Sequence, residues 1–239
     1  MRLILAFAFA TLAAGGIEAP PDLAKKIAHR ESETAAERNQ FAFRQTVQLT
    51  EMSDRGAAAG EYREVREVIF SPEHERTERF LGQPSGTLKH LQLTAEDFRD
   101  IRDIQPFVLT EQLLPLYDTK FRGEERVGDV DCWVLQVRPR QILQNQRLFD
   151  GLLWASKQDY SVVKSEGQAV PQVIHLKSEN LFPHFTTLRR SVREGWWFPA
   201  ETYADDTLPF RTGPLRIRLR IRYMGYQKFG AETAVTFDK

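Results

Sequence analysis

The side chains able to do chemistry are few and scattered. The five histidines include no close i, i+4 pair, and His175 and His184 have no cysteine or acidic cluster beside them, so no metal site is expected. No glycine-rich phosphate loop, His-Glu-x-x-His helix, Gly-x-Ser-x-Gly elbow or calcium loop occurs. Asp205-Asp206 is an adjacent carboxylate pair that could hold a cation or move a proton. Neighbours on a strand point to opposite faces, so the pair is read as capping a loop. Cys132 is the single cysteine, set among Trp133, Val134 and Leu135. Apolar surroundings raise a thiol pKa, and the residue is read as inert core. Neither an enzyme nor a cofactor is expected.

Two other patterns point to binding. Phe43, Phe121, Trp133, Trp154, Trp197 and Tyr203, with Val47, Leu135, Ile217, Leu219 and Ile221, could line an apolar cavity or fill a core. Arg216, Arg218, Arg220 and Arg222 alternate with Leu215, Ile217, Leu219, Ile221 and Tyr223. Four guanidinium groups ~6.6–7 Å apart along one strand face could hold anionic headgroups or an acidic partner. They could equally pair with carboxylates such as Glu201 or Glu232 on neighbouring strands.

The elements that position these groups follow from periodicity. Asp22–Gln40 is rich in Ala, Glu, Lys and Arg and predicts one polar, loosely docked helix within residues 20–40. From Phe41 the period becomes two, with Phe41, Phe43, Val47 and Leu49 on one face. Extended segments are expected at Tyr62–Ser71, Arg76–Leu81 and Thr87–Leu93. Thr94 with Asp97 reads as a helix N-cap, and Thr110–Leu114 as one more turn ended by Pro115. Hairpins are expected around Gly128-Asp129, Lys157–Asp159 and Glu194-Gly195. The fold class is mainly β (α+β), a curved antiparallel sheet of about 11 strands forming an unclosed barrel over two or three helices, with 41–239 one domain.

The chain has 239 residues with 33 Lys+Arg against 33 Asp+Glu, so no global field draws it to nucleic acid or an anionic membrane. Sixteen Phe, six Tyr and four Trp argue against disorder. Arg2, the apolar run Leu3–Ala14 and the small residues up to Ala19 have the three parts of a secretory signal peptide, 1–19, cleaved near Ala14 or Ala19. The expected location is the periplasm, without a permanent membrane span.

The stretch Gly128-Asp129-Val130-Asp131-Cys132-Trp133-Val134-Leu135-Gln136-Val137-Arg138-Pro139, then Leu148–Trp154 and Tyr160–Gly167, resembles the middle of the outer-membrane lipoprotein-sorting superfamily, which includes the Lol carriers and lipid-sensing anti-sigma regulators. Gly195-Trp196-Trp197-Phe198-Pro199 resembles that superfamily's glycine-turn, tryptophan, proline step. The mature chain also resembles a group of uncharacterised exported proteins of acidobacterial type. The superfamily resemblance implies a half-barrel wrapped over helices with an apolar cavity for acyl chains, and partners such as a lipid or acylated protein. Two functions stay open. One is an exported, non-catalytic binder of a hydrophobic ligand; the other is an envelope protein-interaction or sensing module with a filled core.

Overall fold

The computed structural model describes residues 18–70, 75–142, 146–174, 179–193 and 195–228. Residues 1–17 of the expected leader, His175, Glu194 and Glu232 therefore lie outside the described residues. Helix α1 (Leu23–Arg38) precedes β1 (Phe41–Met52), β2 (Ala58–Phe70), β3 (Arg76–Phe80) and the short β4 (Ser85–Gly86). Helix α2 (Ala95–Asp103) and a 3-10 turn (Leu114–Leu116) lead into β5 (Tyr117–Val127), β6 (Val130–Pro139), β7 (Leu148–Ser156) and β8 (Val162–Val170). Two-residue strands β9 (Val173–Ile174) and β10 (Glu179–Asn180) pair with each other. Strands β11 (Phe185–Arg193), β12 (Trp196–Phe210) and β13 (Gly213–Lys228) complete the described residues.

Eleven strands form one antiparallel sheet in the order β3-β2-β1-β13-β12-β11-β8-β7-β6-β5, with β4 added beside β2. The terminal strands β3 and β5 do not pair, so the sheet is not closed into a barrel. The expected hairpins β5-β6, β7-β8 and β11-β12 are all present. The last strand returns to the middle and pairs with β1, placing Ile217, Leu219 and Ile221 opposite Glu51, Leu49 and Val47. A slip of one residue would bury the arginine row, so the alternation holds this register.

One face of the sheet is covered. Leu23, Ile27 and Ala28 of α1, Ile101 of α2, and Ile104, Phe107 and Leu109 of the connecting segment pack on the inward side chains of the strands in one large apolar cluster. Phe107 stacks on Phe149 at 4.6 Å between ring centres and meets Tyr117 edge-on at 5.7 Å. Each such buried side chain contributes about 1.5–3 kcal/mol. Room for the Phe149 ring comes from Gly151 and Gly167, which face each other across β7 and β8. A Cβ on Gly151 would stand 2.6 Å from the Phe149 ring and 2.7 Å from the Gly167 Cα.

Helix α2 begins as the sequence suggests. Asp97 N–H donates to Thr94 Oγ1 at 3.3 Å, while Thr94 N–H donates to Asp97 Oδ2 at 2.6 Å, a reciprocal capping box. Three expectations differ from the structure. Residues 87–93 form no strand, because the backbone N–H groups of Lys89, His90 and Leu91 all donate to the Glu51 carboxylate at 2.9, 2.8 and 2.6 Å. Consecutive N–H groups in a strand point to opposite sides and could not converge on one acceptor. The turn expected at Thr110–Leu114 is present, with the Leu113 and Leu114 N–H groups donating to the Thr110 carbonyl at 3.0 and 2.9 Å, but Pro115 does not end it and lies inside a following 3-10 turn at Leu114–Leu116, where a first-turn residue needs no N–H. Asp205 and Asp206, read as capping a loop, both lie in β12, and only Asp206 caps one, accepting from the His184 N–H at 2.9 Å.

Helix α1 is also not loosely docked. Glu31 and Arg189 of β11, each about 1% exposed at the side chain, form a two-pronged ion pair at 2.8 and 2.9 Å. Arg189 additionally donates to the Phe107 carbonyl at 2.6 Å, so one guanidinium joins the helix, the sheet and the covering segment.

Candidate functional site

The expected cavity residues divide between the two faces of the sheet. Phe43, Val47, Leu135, Ile217, Leu219 and Ile221 are buried on the covered face within the filled cluster, and Phe121 and Trp133 pack at its margin, 6.0 Å apart edge-on. Trp154 and Trp197 lie on the other face, in a separate cluster with Cys132, Val134 and Val163. There the Trp154 indole N–H donates to Glu125 at 2.8 Å, and the Lys164 ammonium sits 3.8 Å above its ring. Tyr203 is 43% exposed and lies opposite Arg220. The structure thus brings six of the eleven together and carries three to the opposite side. Strand β7 is apolar on both faces, so its sequence does not reveal which side Trp154 takes. Cys132 is fully buried and burial pushes its thiol up to about 11, which leaves it protonated and unreactive at neutral pH.

The four row arginines are exposed on that second face and bind carboxylates of β12. Arg216 and Arg218 share Asp205 at 2.7 and 2.8 Å, and Arg220 and Arg222 share Glu201 at 3.0 and 3.6 Å. The two guanidinium groups hold the Asp205 carboxyl down at about 2. Asp206 points the other way and accepts from the His184 N–H at 2.9 Å.

A recess lies elsewhere, a groove of about 590 Å³ between helix α1 and two strand turns. Its floor and walls come from three elements. Helix α1 presents Lys26, His29, Arg30 and Glu33, a helical i, i+3, i+4, i+7 set on one face. The β7–β8 turn supplies Gln158, Asp159 and Tyr160, and the β11–β12 turn supplies Gly195 with Trp197. Arg30 is the organising group. Its Nε donates to Ser161 Oγ at 3.0 Å, Nη1 pairs with Glu33 at 3.0 Å, and Nη2 donates to the Gly195 carbonyl. The guanidinium carbon lies 4.3 Å from the Trp196 ring centre. Gly195 takes φ +78°, and a Cβ there would stand 3.3 Å from Arg30 Nη2.

The other groove groups are held by local bonds. His29 Nδ1 lies 3.1 Å from Glu111, and the Lys26 ammonium 5.3 Å from the Tyr160 ring centre. Asp159 accepts from the Ser161 N–H and hydroxyl at 3.2 and 2.9 Å, which fixes Tyr160 in a left-handed conformation at φ +60°. The result is a pre-formed recess with both charge signs and two aromatic walls, suited to a polar chain more than to an acyl tail. Sequence reading missed it, although Lys26, His29/Arg30 and Glu33 at helical spacing are visible in the chain. Among the described residues no group of three or more His, Cys, Asp or Glu side chains is placed to hold a metal ion. Asp100, buried beside Arg147 at 2.5 Å, is pushed up to about 7 by burial. It joins α2 to the strands rather than lining the groove, since Arg147 also donates to the Asn180 carbonyl at 2.8 Å.

No family model matches the chain, and no curated protein matches it. Among solved structures it is similar to a DUF1329 family protein from Desulfovibrio piger, at 12% identity over 90% of this chain and 96% of that one, with a TM-score of 0.48. It is similar to a LolA superfamily protein from Nitrosomonas europaea, at 12% identity over 84% and 94% of the two chains, with a TM-score of 0.35. It is also similar to the MucA/MucB complex structure of Pseudomonas aeruginosa, at 14% identity over 84% and 98%, with a TM-score of 0.25. Likenesses this distant carry no functional argument, and they give the acidobacterial-type resemblance no support. Among the described residues no helix is long and apolar enough to cross a membrane.

Proposed function

We propose that the chain is an exported, non-catalytic binding module of the bacterial envelope that engages a polar segment of a partner protein in the groove between α1 and the β7–β8 and β11–β12 turns. The observation that carries this is the division of space. The apolar face is filled by the protein's own Phe107, Leu109, Phe149 and their neighbours, while the roomy recess of about 590 Å³ is charged and aromatic. Export rests on Arg2 and the apolar run after it. A photo-crosslinking residue at exposed Gln158, on the groove, is expected to give a discrete crosslinked product in the periplasm, weakened by Lys26→Glu. The same probe at exposed Lys120 on the edge strand is expected to give none. Equal products from both positions would defeat the groove assignment.

A hydrophobic-ligand reading is favoured by one specific feature. Helix α1 buries few apolar side chains, Leu23, Ile27 and Ala28, and is otherwise held by polar ties such as Glu31–Arg189 and Lys228–Glu37. Its withdrawal would open the apolar face to an acyl chain. Lipid that co-purifies with the parent and is lost in an Ile217→Asp variant that still folds would support this reading.

A further inference from the structure

On the face opposite the helices the strand register gathers cations. Arg44 of β1 lies opposite Met224, and Gln48 opposite Arg220, while Arg63 and Glu67 of β2 lie opposite Gln48 and Arg44. Arg79 of β3 lies opposite Glu67, and Glu201, Tyr203 and Asp205 of β12 lie opposite Arg222, Arg220 and Arg218. With Arg216 and Glu61, these five strands carry seven arginines against four carboxylates on this face, in a chain whose 33 basic and 33 acidic residues balance. Each of the four carboxylates is already engaged. Asp205 and Glu201 are each shared by two arginines, Glu67 holds Arg79 at 2.6 Å, and Glu61 accepts from Gln48 at 2.6 Å. The Arg44 and Arg63 side chains have no partner among the described residues. Arg218, Arg220 and Arg222 meet their carboxylates through Nε, and their Nη groups make no hydrogen bond to a described residue.

The cations form a two-dimensional array rather than a single line. Arg216 to Arg222 spans ~20 Å along β13, and Arg63 stands two strands away, ~10 Å across the sheet. The row arginines are each about half exposed, and Met224 and Tyr203, 41% and 43% exposed, rise among them. None of these residues lines the groove. An acidic protein segment is matched by a channel or by one line of cations, whereas a spread of guanidinium groups with apolar tips between them matches a plane of anionic headgroups. We propose that this face docks on an anionic lipid surface, its guanidinium groups meeting headgroup phosphates and the Met224 and Tyr203 side chains entering the interface. The phosphates supply the acceptors and the counter-charge that the free Nη groups, Arg44 and Arg63 lack. The docking face is independent of the groove and of what fills the apolar face.

The test is flotation of the purified protein with vesicles of equal parts phosphatidylcholine and phosphatidylglycerol, and with vesicles of phosphatidylcholine alone. The expected result is binding to the first only, weakening steeply as the screening length falls from about 10 Å at about 0.1 M salt to about 3 Å at about 1 M. Arg44→Gln/Arg63→Gln removes two charges and breaks no ion pair. Arg218→Gln/Arg220→Gln leaves Asp205 with Arg216 and Glu201 with Arg222. At about fivefold per arginine, each double variant should bind about 25-fold more weakly, with an unchanged thermal unfolding midpoint. Lys120→Gln/Arg122→Gln, which removes the same charge from the edge strand β5, should bind like the parent. Should one double variant fail to fold, the other decides the matter. No binding to the anionic vesicles, undiminished binding by a folded double variant of the array, or an equal loss in the β5 variant would overturn the proposal. Capture of the protein by immobilised polyglutamate without binding to vesicles would overturn it in favour of an acidic protein partner.

Discussion

Replacing Glu31 by Leu should be among the most costly single changes in the protein. Its carboxylate and the Arg189 guanidinium are each about 1% exposed and meet through two hydrogen bonds of 2.8 and 2.9 Å. Removing one member of such a pair leaves the other charge in a dry site, which costs about 3–5 kcal/mol. With a urea m-value of about 2–3 kcal/mol/M for a chain of this size, the midpoint should fall by roughly 1–2 M. Glu31→Gln keeps one acceptor and the shape but not the charge, so it should recover only part of the loss. The double variant Glu31→Leu/Arg189→Met removes both charges and should lie well above the single variant, although the Phe107 carbonyl then loses its donor at about 1–3 kcal/mol. Urea unfolding followed by tryptophan fluorescence measures all three. A loss below about 1 kcal/mol for Glu31→Leu, or strict additivity in the cycle, would refute the account of how α1 is anchored.

Three further outcomes are expected. Gly167→Ala would drive a Cβ to 2.8 Å from the Gly151 Cα and 2.9 Å from the Phe149 ring, and should cost about 1–3 kcal/mol in urea unfolding or prevent folding. The three backbone N–H groups aimed at Glu51 hold its pKa below the ordinary carboxylate value, so the folded state binds this proton less readily than the unfolded state. The stability it contributes is present above about pH 4.5 and lost as pH falls through its lowered pKa, a loss that Glu51→Gln should remove from the acid-unfolding profile. Thr94→Ala should cost about 1 kcal/mol by opening the capping box, visible as faster amide exchange in the first turn of α2.

Much of the fold was legible because the strands carry their faces in their alternation. Ile217, Leu219 and Ile221 against Arg216 to Arg222 specify β13 and its register, and Thr94 with Asp97 specifies the start of α2. What covers the apolar face was not legible, since Phe107 and Leu109 belong to an irregular segment without period. The side taken by Trp154 was hidden for the opposite reason, both faces of β7 being apolar. The polar features were missed where they interrupt a pattern. Gln45 and Glu51 share the parity of Phe43, Val47 and Leu49, and a polar residue in such a run is itself a sign of a buried partner. Glu31 gave no such sign, because α1 is polar around most of its circumference.

Native mass spectrometry of the purified protein, followed by organic extraction, bears most directly on whether the apolar face is filled by the chain itself. The structure predicts the mass of the polypeptide without acyl lipid, and no uptake when fatty acids or phospholipids are added. A stoichiometric acyl lipid, retained in the gas phase and recovered in the extract, would contradict the filled face and establish a hydrophobic-ligand carrier in its place.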